Sequence, residues 1–355
     1  MELSDLDFEL PEELVAQVPA EPRGASRLLH LPLAGGAARH VRFADLPELL
    51  SPGDLVVMND SRVLPARLTG RKESGGGVEL LLVEPLEDRG GDAGAGAHGR
   101  PGARWRAMGQ ASKPIRAGAR LDFGGLAAEV EGAEGDGFFV VRLDRGGAEL
   151  EAALERVGRV PLPPYIRREP SPSDRDRYQT VVARETGSVA APTAGLHVTP
   201  ALLERLAARG VARATVTLHV GPGTFLPVRT ARLQDHRMHA ERFHIPPDTA
   251  RAVAAARARG GRVIAIGTTA VRALESATSP GGLRHGAGRT DIFIRPGHAF
   301  RAVDGLVTNF HLPRSTLLAL VCAFGGTERV LSAYREAVVQ RYRFFTYGDA
   351  MALLP

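Results

Sequence analysis

The feature that most limits how this 355-residue chain can fold is a change of pattern near residue 62. From there to about residue 150, short β-prone runs such as VELLLVEP and FFVVRL are separated by Gly, Asp and Pro, which predicts a small β-barrel or sandwich. On both sides of this block, apolar strands alternate with helical patterns, which predicts a mainly parallel sheet. The sequence therefore predicts a larger α/β domain that is interrupted by a small β domain.

Local signals place several elements of the α/β part. Thr199 is a candidate N-cap, Pro200 stands at the first helical position, and Gly210 ends that helix. Alternating apolar residues predict a strand over 213–220. The remaining expectations are strands at 54–58, 262–266 and 291–294, helices at 250–259 and 269–276, and a C-terminal helix capped by Thr327. We place the large domain at 1–61 and 155–355 and the small domain at 62–154.

Composition narrows the class of protein. The single cysteine, Cys322, excludes a disulfide framework and a cysteine-rich metal site. The absence of any run of about 18 apolar residues, and of a charged-then-apolar leader, predicts a cytoplasmic protein with no membrane span. The net charge is +5, and only Lys72 and Lys113 among 45 cationic residues are lysines. Arginine binds phosphate bidentately, so the composition permits a polyanionic partner without requiring one.

Two segments combine histidine with glycine where a strand should end: SVAAPTAGLHVT at 188–199 and TLHVGPGTF at 217–225. The second lacks the Gly-Lys-Ser/Thr of a phosphate loop and the third glycine of a dinucleotide fingerprint. What remains is a tight turn that places His219 and Thr224 at the end of a strand. Backbone N–H groups in such a glycine-rich turn can approach a ligand, and a plain turn is the alternative.

A third segment, HRMHAERFH at 236–244, suggests either a metal site or acid–base chemistry. Zinc sites need three or four ligands, and neither an HExxH motif nor a cysteine pair supports His236, His239 and His244 as such a set. We therefore favour hydrogen bonding or proton transfer by His239 and Glu241. A metal-dependent hydrolase stays open as an alternative.

Three further segments carry polar groups next to predicted helices. In GTTAVRALE at 267–275, a strand enters a helix through two threonines. The free N–H groups at a helix N-terminus favour an anion such as a carboxylate. The alternative for this segment is a surface pair between Arg272 and Glu275. In TNFHLPRST at 308–316, Asn309 and His311 are not explained by capping, whereas Ser315 or Thr316 can cap the next helix. RYRFFTYGD at 341–349 mixes cations and aromatic residues, which suits either stacking on nucleobases or packing.

Long motifs in order along the chain resemble the S-adenosylmethionine:tRNA ribosyltransferase-isomerase family of queuosine biosynthesis. Among them are NDSRVLPARLTGRK, DRYQTVVARETGSVAAPTAGLHVT, TLHVGPGTFLPV, AIGTTAVRALES, DGLVTNFHLPRSTLLALV and YRFFTYGDAM. The departures are small: Val198 stands where phenylalanine is common, and Ala270 where serine or threonine is common. The resemblance implies a large α/β barrel-like domain with an inserted small antiparallel β-barrel.

The resemblance also implies an activity. The ribosyl group of S-adenosylmethionine is transferred and isomerised onto the amine of 7-aminomethyl-7-deazaguanine at the tRNA wobble position. The product is epoxyqueuosine-tRNA, and adenine and methionine are released. The implied partners are tRNA and S-adenosylmethionine, with no metal, no further cofactor, no membrane and no protein partner. We expect the tRNA to bind through arginines in a salt-sensitive way. A non-catalytic RNA-binding protein is a second alternative.

On this resemblance we assign three groups of residues. The acid–base candidates are His197, His219, His239, Glu241 and His311. The candidates for binding S-adenosylmethionine are Thr193, Gly221, Gly223, Thr224, Thr268, Thr269 and Arg272. The candidates for contact with the modified base or the anticodon are Asn309, Arg343, Phe344, Tyr347 and Asp349. We expect the imidazoles to meet in one crevice.

Overall fold

The structure, a computed structural model, describes residues 1–86, 102–221, 223 and 230–355. The strands are β1 (Arg27–Pro32), β2 (Arg39–Arg42), β3 (Leu55–Asn59), β4 (Ser61–Val63), β5 (Arg67–Lys72), β6 (Gly77–Leu86), β7 (Arg104–Ala111), β8 (Arg120–Asp122), β9 (Ala127–Gly135), β10 (Phe138–Leu143), β11 (Glu185–Ser188), β12 (Ala212–Leu218), β13 (Glu241–Ile245), β14 (Val263–Ile266), β15 (Thr278–Ser279), β16 (Gly282–Leu283), β17 (Gly286–Thr290), β18 (Gly305–Asn309) and β19 (Ala350–Leu354). The helices are α1 (Gly147–Val157), α2 (Asp174–Arg177), α3 (Pro200–Ala208), α4 (Pro247–Ala258), α5 (Thr268–Ala277), α6 (Thr316–Gly325) and α7 (Thr327–Val339).

The predicted small β domain is a closed six-stranded antiparallel barrel with the strand order β10-β7-β6-β5-β8-β9. Alternation along β6 explains why these residues form it, because Val78, Leu80 and Leu82 are buried inside while the residues between them are less buried. Leu150 and Leu154 of α1 pack into the same apolar cluster. All the barrel strands lie within the predicted insert, 62–154.

The large sheet has nine strands in the order β17-β13-β12-β3-β14-β18-β19-β1-β2. Its centre, β12-β3-β14-β18, is parallel, as the alternation of strands and helices predicts. The outer strands add antiparallel pairs, so the sheet is mixed, with edges at β17 and β2. The predicted α/β class and the small antiparallel barrel are confirmed.

Apolar residues cover both faces of the central strands. In β3, Leu55 and Val57 face the core cluster that includes α4 to α7, whereas Val56 and Met58 face the cluster that includes α3. A strand buried on both faces is apolar at consecutive positions, which is why β3 lacks simple alternation.

The helix ends test the local predictions. Thr199 caps α3, because its Oγ1 accepts a hydrogen bond from the Leu202 N–H at 3.1 Å, and Ser315 caps α6 in the same way. The predicted cap at Thr327 is wrong, since Gly326 is the N-cap of α7 and Thr327 is the first helical residue.

The predicted strand at 291–294 is also wrong. The strand in this region is β17, whose pairing with β13 ends at Thr290.

No single helix among the described residues is both long enough and apolar enough to cross a membrane. The pair α6 and α7 meets both requirements only when taken together, and these helices are bent by 115° at their junction.

Candidate functional site

The carboxyl ends of the central parallel strands open into a cavity of about 680 Å³, which we call the main cavity. In open α/β sheets this edge is where ligands bind. The main cavity is lined by residues that follow β12, β14 and β18, by the 3-10 turn at Thr193–His197, and by aromatic residues from two loops. The lining residues are Tyr165, Tyr178, Ala190, Ala191, Thr193, Ala194, Val220, Gly267, Thr268, Thr269, Arg272, Thr308, Asn309, His311, Leu317, Phe345 and Thr346.

The N-terminus of α5 faces this cavity. Gly267 is its N-cap, with φ +98°, a backbone conformation that suits glycine and strains other residues. Thr268 and Thr269 follow as the first helical residues, and both line the main cavity. Because the first N–H groups of a helix have no partner within the helix, this end attracts an anionic group. The helix start for which the sequence predicts an anion site thus lies at the main cavity.

A buried ion pair lies one turn further along α5. Arg272, which is 4% exposed, donates through Nη1 to Oε2 of Glu241, which is 6% exposed. The other Glu241 oxygen accepts the Gly221 N–H at 2.8 Å. Arg272 Nε and Nη2 and the Thr269 hydroxyl have no hydrogen-bond partner among the described residues. A buried guanidinium with unpaired N–H groups at a cavity wall can bind a carboxylate.

The alternative pairing of Arg272 with Glu275 on the surface is wrong. Glu275 is buried and accepts hydrogen bonds from the backbone N–H groups of Arg301 and Ala302, the latter at 2.9 Å. Its side chain therefore holds the segment before β18 against α5.

His311 is the one acid–base candidate that itself lines the main cavity. The ring is 5% exposed, and its Nε2 lies 2.9 Å from Thr308 Oγ1. Burial lowers the pKa of His311 to about 3, because a charged imidazolium would lose its solvation there. The imidazole is therefore neutral at pH 7. Beside it, Asn309 Nδ2 donates to the carbonyl of Phe345 at 2.8 Å.

A second cavity of about 420 Å³ lies between the barrel and the large sheet. His219, Gly221, His239 and Glu241 line it from the large domain. Val83, Glu84, Arg106 and Phe138 line it from the barrel. Since Glu241 lines this cavity and its partner Arg272 lines the main cavity, the two cavities adjoin at the ion pair.

The two histidines of the second cavity differ in exposure. His219 is half-buried, and burial, helped by the positive charge of Arg242, lowers its pKa to about 4. His239 is exposed and lies near the ring of Phe138, with 6.1 Å between ring centroids. Gly223 lies against it, and a Cβ there would approach the His239 ring to 2.9 Å, so a larger residue would make this ring shift.

His197 lines neither of these two cavities. It lines a smaller cavity of about 270 Å³ with Arg23 and Arg177, its Nδ1 is 3.0 Å from Ser26 Oγ, and its ring stacks on Phe43 with centroids 4.7 Å apart. Burial lowers its pKa to about 4, although the charge of Asp349 opposes the shift. The expectation that all the imidazoles meet in one crevice is therefore wrong.

The residues expected to contact the base or the anticodon are also dispersed. Phe344 is fully buried and packs against Phe310, and Asp349 is buried and accepts the backbone N–H groups of Arg27 and Arg343 at 2.9 and 2.8 Å. Tyr347 donates its hydroxyl to Asp174 at 2.8 Å. These contacts match the packing interpretation, and of this group only Asn309 lines the main cavity.

Two sequence predictions have separate outcomes. Thr224 lies outside the described residues. For the metal alternative, no three His, Cys, Asp or Glu side chains are grouped to hold a metal ion in the part of the chain that the structure describes. Within that part, His236 packs edge-on against Phe293, with centroids 5.5 Å apart.

Sequence reasoning missed the aromatic side of the main cavity. Tyr165, Tyr178, Phe345 and Thr346 all line it, yet no local spacing relates the two loops that carry them. Tyr178 stands in DRYQTVVARETGSVAAPTAGLHVT and Phe345 in YRFFTYGDAM, two of the segments on which the family resemblance depends, and that was the available signal.

The buried histidines predict acid sensitivity. The pKa of His197 is about 4 in the folded chain, against an ordinary value of 6.5, so the unfolded state binds more protons between these pH values. Stability is therefore retained above pH 6.5 and falls towards pH 4, by about 3 kcal/mol from His197 alone. Urea unfolding at pH 7 and at pH 4 should show a smaller difference for His197→Gln than for the parent chain. Equal differences would contradict this origin of the acid sensitivity.

The chain was compared with known proteins. A sequence family described as "Queuosine biosynthesis protein" matches residues 3–353. An S-adenosylmethionine:tRNA ribosyltransferase-isomerase from Anaeromyxobacter sp. (strain Fw109-5) is 67% identical over 353 residues, with 99% of each chain covered. One from Citrifermentans bemidjiense is 52% identical over 352 residues, again covering 99% of each. The crystal structure of S-adenosylmethionine tRNA ribosyltransferase from Thermotoga maritima is 36% identical, with a TM-score of 0.56 over 99% of this chain and 100% of that one.

Proposed function

Because this chain belongs to the queuosine biosynthesis family of S-adenosylmethionine:tRNA ribosyltransferase-isomerases, we propose that its main cavity binds S-adenosylmethionine and that the acceptor is 7-aminomethyl-7-deazaguanine at the tRNA wobble position. The chain is an enzyme that transfers and isomerises a ribosyl group from S-adenosylmethionine to tRNA. The proposed products are epoxyqueuosine-tRNA, adenine and methionine. A tRNA acceptor also supports a cytoplasmic location.

One observation carries the placement of S-adenosylmethionine: a buried arginine with unpaired N–H groups beside a helix N-terminus. Arg272 Nε and Nη2 have no partner among the described residues, and Thr268 and Thr269 present the start of α5 to the same cavity. The methionine carboxylate of the substrate is an anion of the right size for this position. Its binding there would satisfy the guanidinium that Glu241 satisfies only in part.

The reaction needs a base at the C5′ carbon. A sulfonium acidifies the hydrogens on the adjacent carbon, so a neutral imidazole close to it can remove one of them. His311 lines the main cavity and is neutral at pH 7, because burial lowers its pKa to about 3. We propose that His311 removes the C5′ proton. The C1′–N bond to adenine then breaks as a ring nitrogen of adenine takes up a proton, the acceptor amine forms a bond to the ribosyl carbon skeleton, and the C5′–S bond breaks, so that adenine and methionine leave.

The second substrate needs a separate base, because the acceptor amine attacks only in its neutral form. His219 and His239 line the adjoining second cavity, and His219 is neutral at pH 7 because burial lowers its pKa to about 4. We propose that this pair receives the proton of the amine, and that Glu241 lies between the two substrates. The anticodon base would leave its stack to enter this position, as bases do in other enzymes that modify them. The proposed steps use imidazoles and carboxylates and no metal.

The test is mass spectrometry of the wobble nucleoside after incubation with S-adenosylmethionine and tRNA that carries 7-aminomethyl-7-deazaguanine. We expect epoxyqueuosine, with one adenine and one methionine released per modified tRNA. A matched tRNA with unmodified guanine at the wobble position should release neither. Binding of tRNA without any release would support the RNA-binding alternative, and a methylated nucleoside would contradict ribosyl transfer.

A further inference from the structure

Phe345 has a backbone conformation that is unusual for its side chain. Its φ is +71°, in the left-handed region that glycine adopts freely and that strains a bulky residue. The other described non-glycine residues with positive φ are Asp136, Arg314 and Arg341. None of these lines the main cavity, whereas Phe345 does. Strain of this kind is concentrated at functional sites, where the surrounding structure imposes it.

The surrounding structure fixes this backbone from both sides. The Phe345 N–H donates to the carbonyl of Phe310 at 2.9 Å. The Phe345 carbonyl accepts the Asn309 side-chain amide at 2.8 Å and the Gly348 N–H at 2.9 Å. Phe344 and Thr346 on either side are buried, while Phe345 is only half-buried. The strained residue is therefore the one in this segment that presents an aromatic ring to the cavity.

Tyr165 adds a second ring to the same wall. The centroids of the Tyr165 and Phe345 rings are 4.1 Å apart, with their planes at 54°. The Tyr165 hydroxyl lies 2.7 Å from Thr346 Oγ1, so its polar end already has a partner. The two rings form an aromatic wall in a cavity that also contains unpaired polar groups.

We propose that Phe345 and Tyr165 form the surface on which the adenine of S-adenosylmethionine stacks. The proposal rests on the proposed function, which places the methionine carboxylate of the same molecule at Arg272. The main cavity contains both features, and S-adenosylmethionine carries both complementary groups, a carboxylate and a purine. In the second cavity the Arg106 guanidinium already covers one face of the Phe138 ring, at 4.1 Å from the ring centroid. We therefore place adenine stacking in the main cavity.

The test uses 5′-methylthioadenosine, which has the adenine nucleoside but no carboxylate, and methionine, which has the carboxylate but no adenine. Calorimetry with Phe345→Leu should show 5′-methylthioadenosine binding that is weaker by about 5- to 100-fold, the range expected for loss of base–aromatic stacking. The affinity for methionine should stay unchanged. Phe300→Leu is the matched control, because Phe300 is also half-buried against the core but lines no cavity described above. It should leave both affinities unchanged.

A second pair of variants distinguishes the contribution of the Phe345 ring to binding from the cost of its backbone conformation to stability. Phe345→Gly and Phe345→Ala both remove the ring and should weaken 5′-methylthioadenosine binding equally. The glycine variant should unfold at a higher urea concentration than the alanine variant, because glycine adopts this φ without strain. Equal affinity for 5′-methylthioadenosine in folded Phe345→Leu and in the parent would overturn the proposal. A rise in KM for tRNA alone would assign the rings to the acceptor base and overturn it too. Failure of the parent chain to bind S-adenosylmethionine would overturn the proposed function itself.

Discussion

Arg272→Met is expected to lower kcat/KM for S-adenosylmethionine by about 100-fold or more, since charge-assisted hydrogen bonds to a carboxylate contribute about 1.5–3 kcal/mol each. The same change should destabilise the fold by about 3 kcal/mol or more, because it leaves the buried Glu241 carboxylate without its cation. Steady-state kinetics and urea unfolding measure the two effects. Both effects follow from loss of the Arg272 guanidinium, which pairs with Glu241 through Nη1 and offers Nε and Nη2 to the substrate.

A double variant distinguishes binding from stability. Glu241→Gln combined with Arg272→Met removes both charges, so we expect the free energy of unfolding to recover most of the loss while kcat/KM stays low. Arg262→Met is the matched control. Its partner Asp54 is equally buried, and the Arg262–Asp54 pair lies where β3 and β14 begin, at the opposite end of the strands from the cavity. It should lose stability without a change in KM for S-adenosylmethionine. Recovery of activity in the double variant would contradict a carboxylate-binding role for Arg272.

The sequence predicts well the features that depend on residues close together in the chain. The cap at Thr199, the strand that enters a helix through Thr268 and Thr269, and the polar groups of 308–311 follow from spacing within one turn or one strand end, and the structure has each of them. The barrel is predicted because its short alternating strands pair mainly with near neighbours in sequence.

Contacts between distant segments could not be predicted in this way. His197 bonds to Ser26, 171 residues away, and lines a different cavity from His311. Glu241 and Arg272 pair across 31 residues, which made Glu275 the nearer and mistaken partner. Which of Phe344 and Phe345 faces the cavity depends on one backbone angle, φ of Phe345, which no apolar pattern encodes. The fold class follows from periodicity, whereas the composition of the site follows from long-range packing.

The second large effect is expected at His311. If it removes the C5′ proton, His311→Gln should lower kcat by about 100- to 10,000-fold, the usual contribution of a general base, with little change in KM for either substrate. Exchange of the C5′ hydrogens of S-adenosylmethionine with D₂O should disappear in the variant and persist in the parent.

A buried histidine outside the site provides the control for His311. His30 lies on β1, is 9% exposed, and has its pKa lowered by burial, yet it lines none of the three cavities. His30→Gln should therefore keep both the parent kcat and the C5′ hydrogen exchange.

Added imidazole should restore part of the rate to His311→Ala, because a small neutral base can occupy the space left in the cavity. A purely structural role for His311 would give no such rescue. Undiminished C5′ exchange in His311→Gln would assign the proton to another group, and His219 and His239, across the Arg272–Glu241 pair, would then be the next residues to replace.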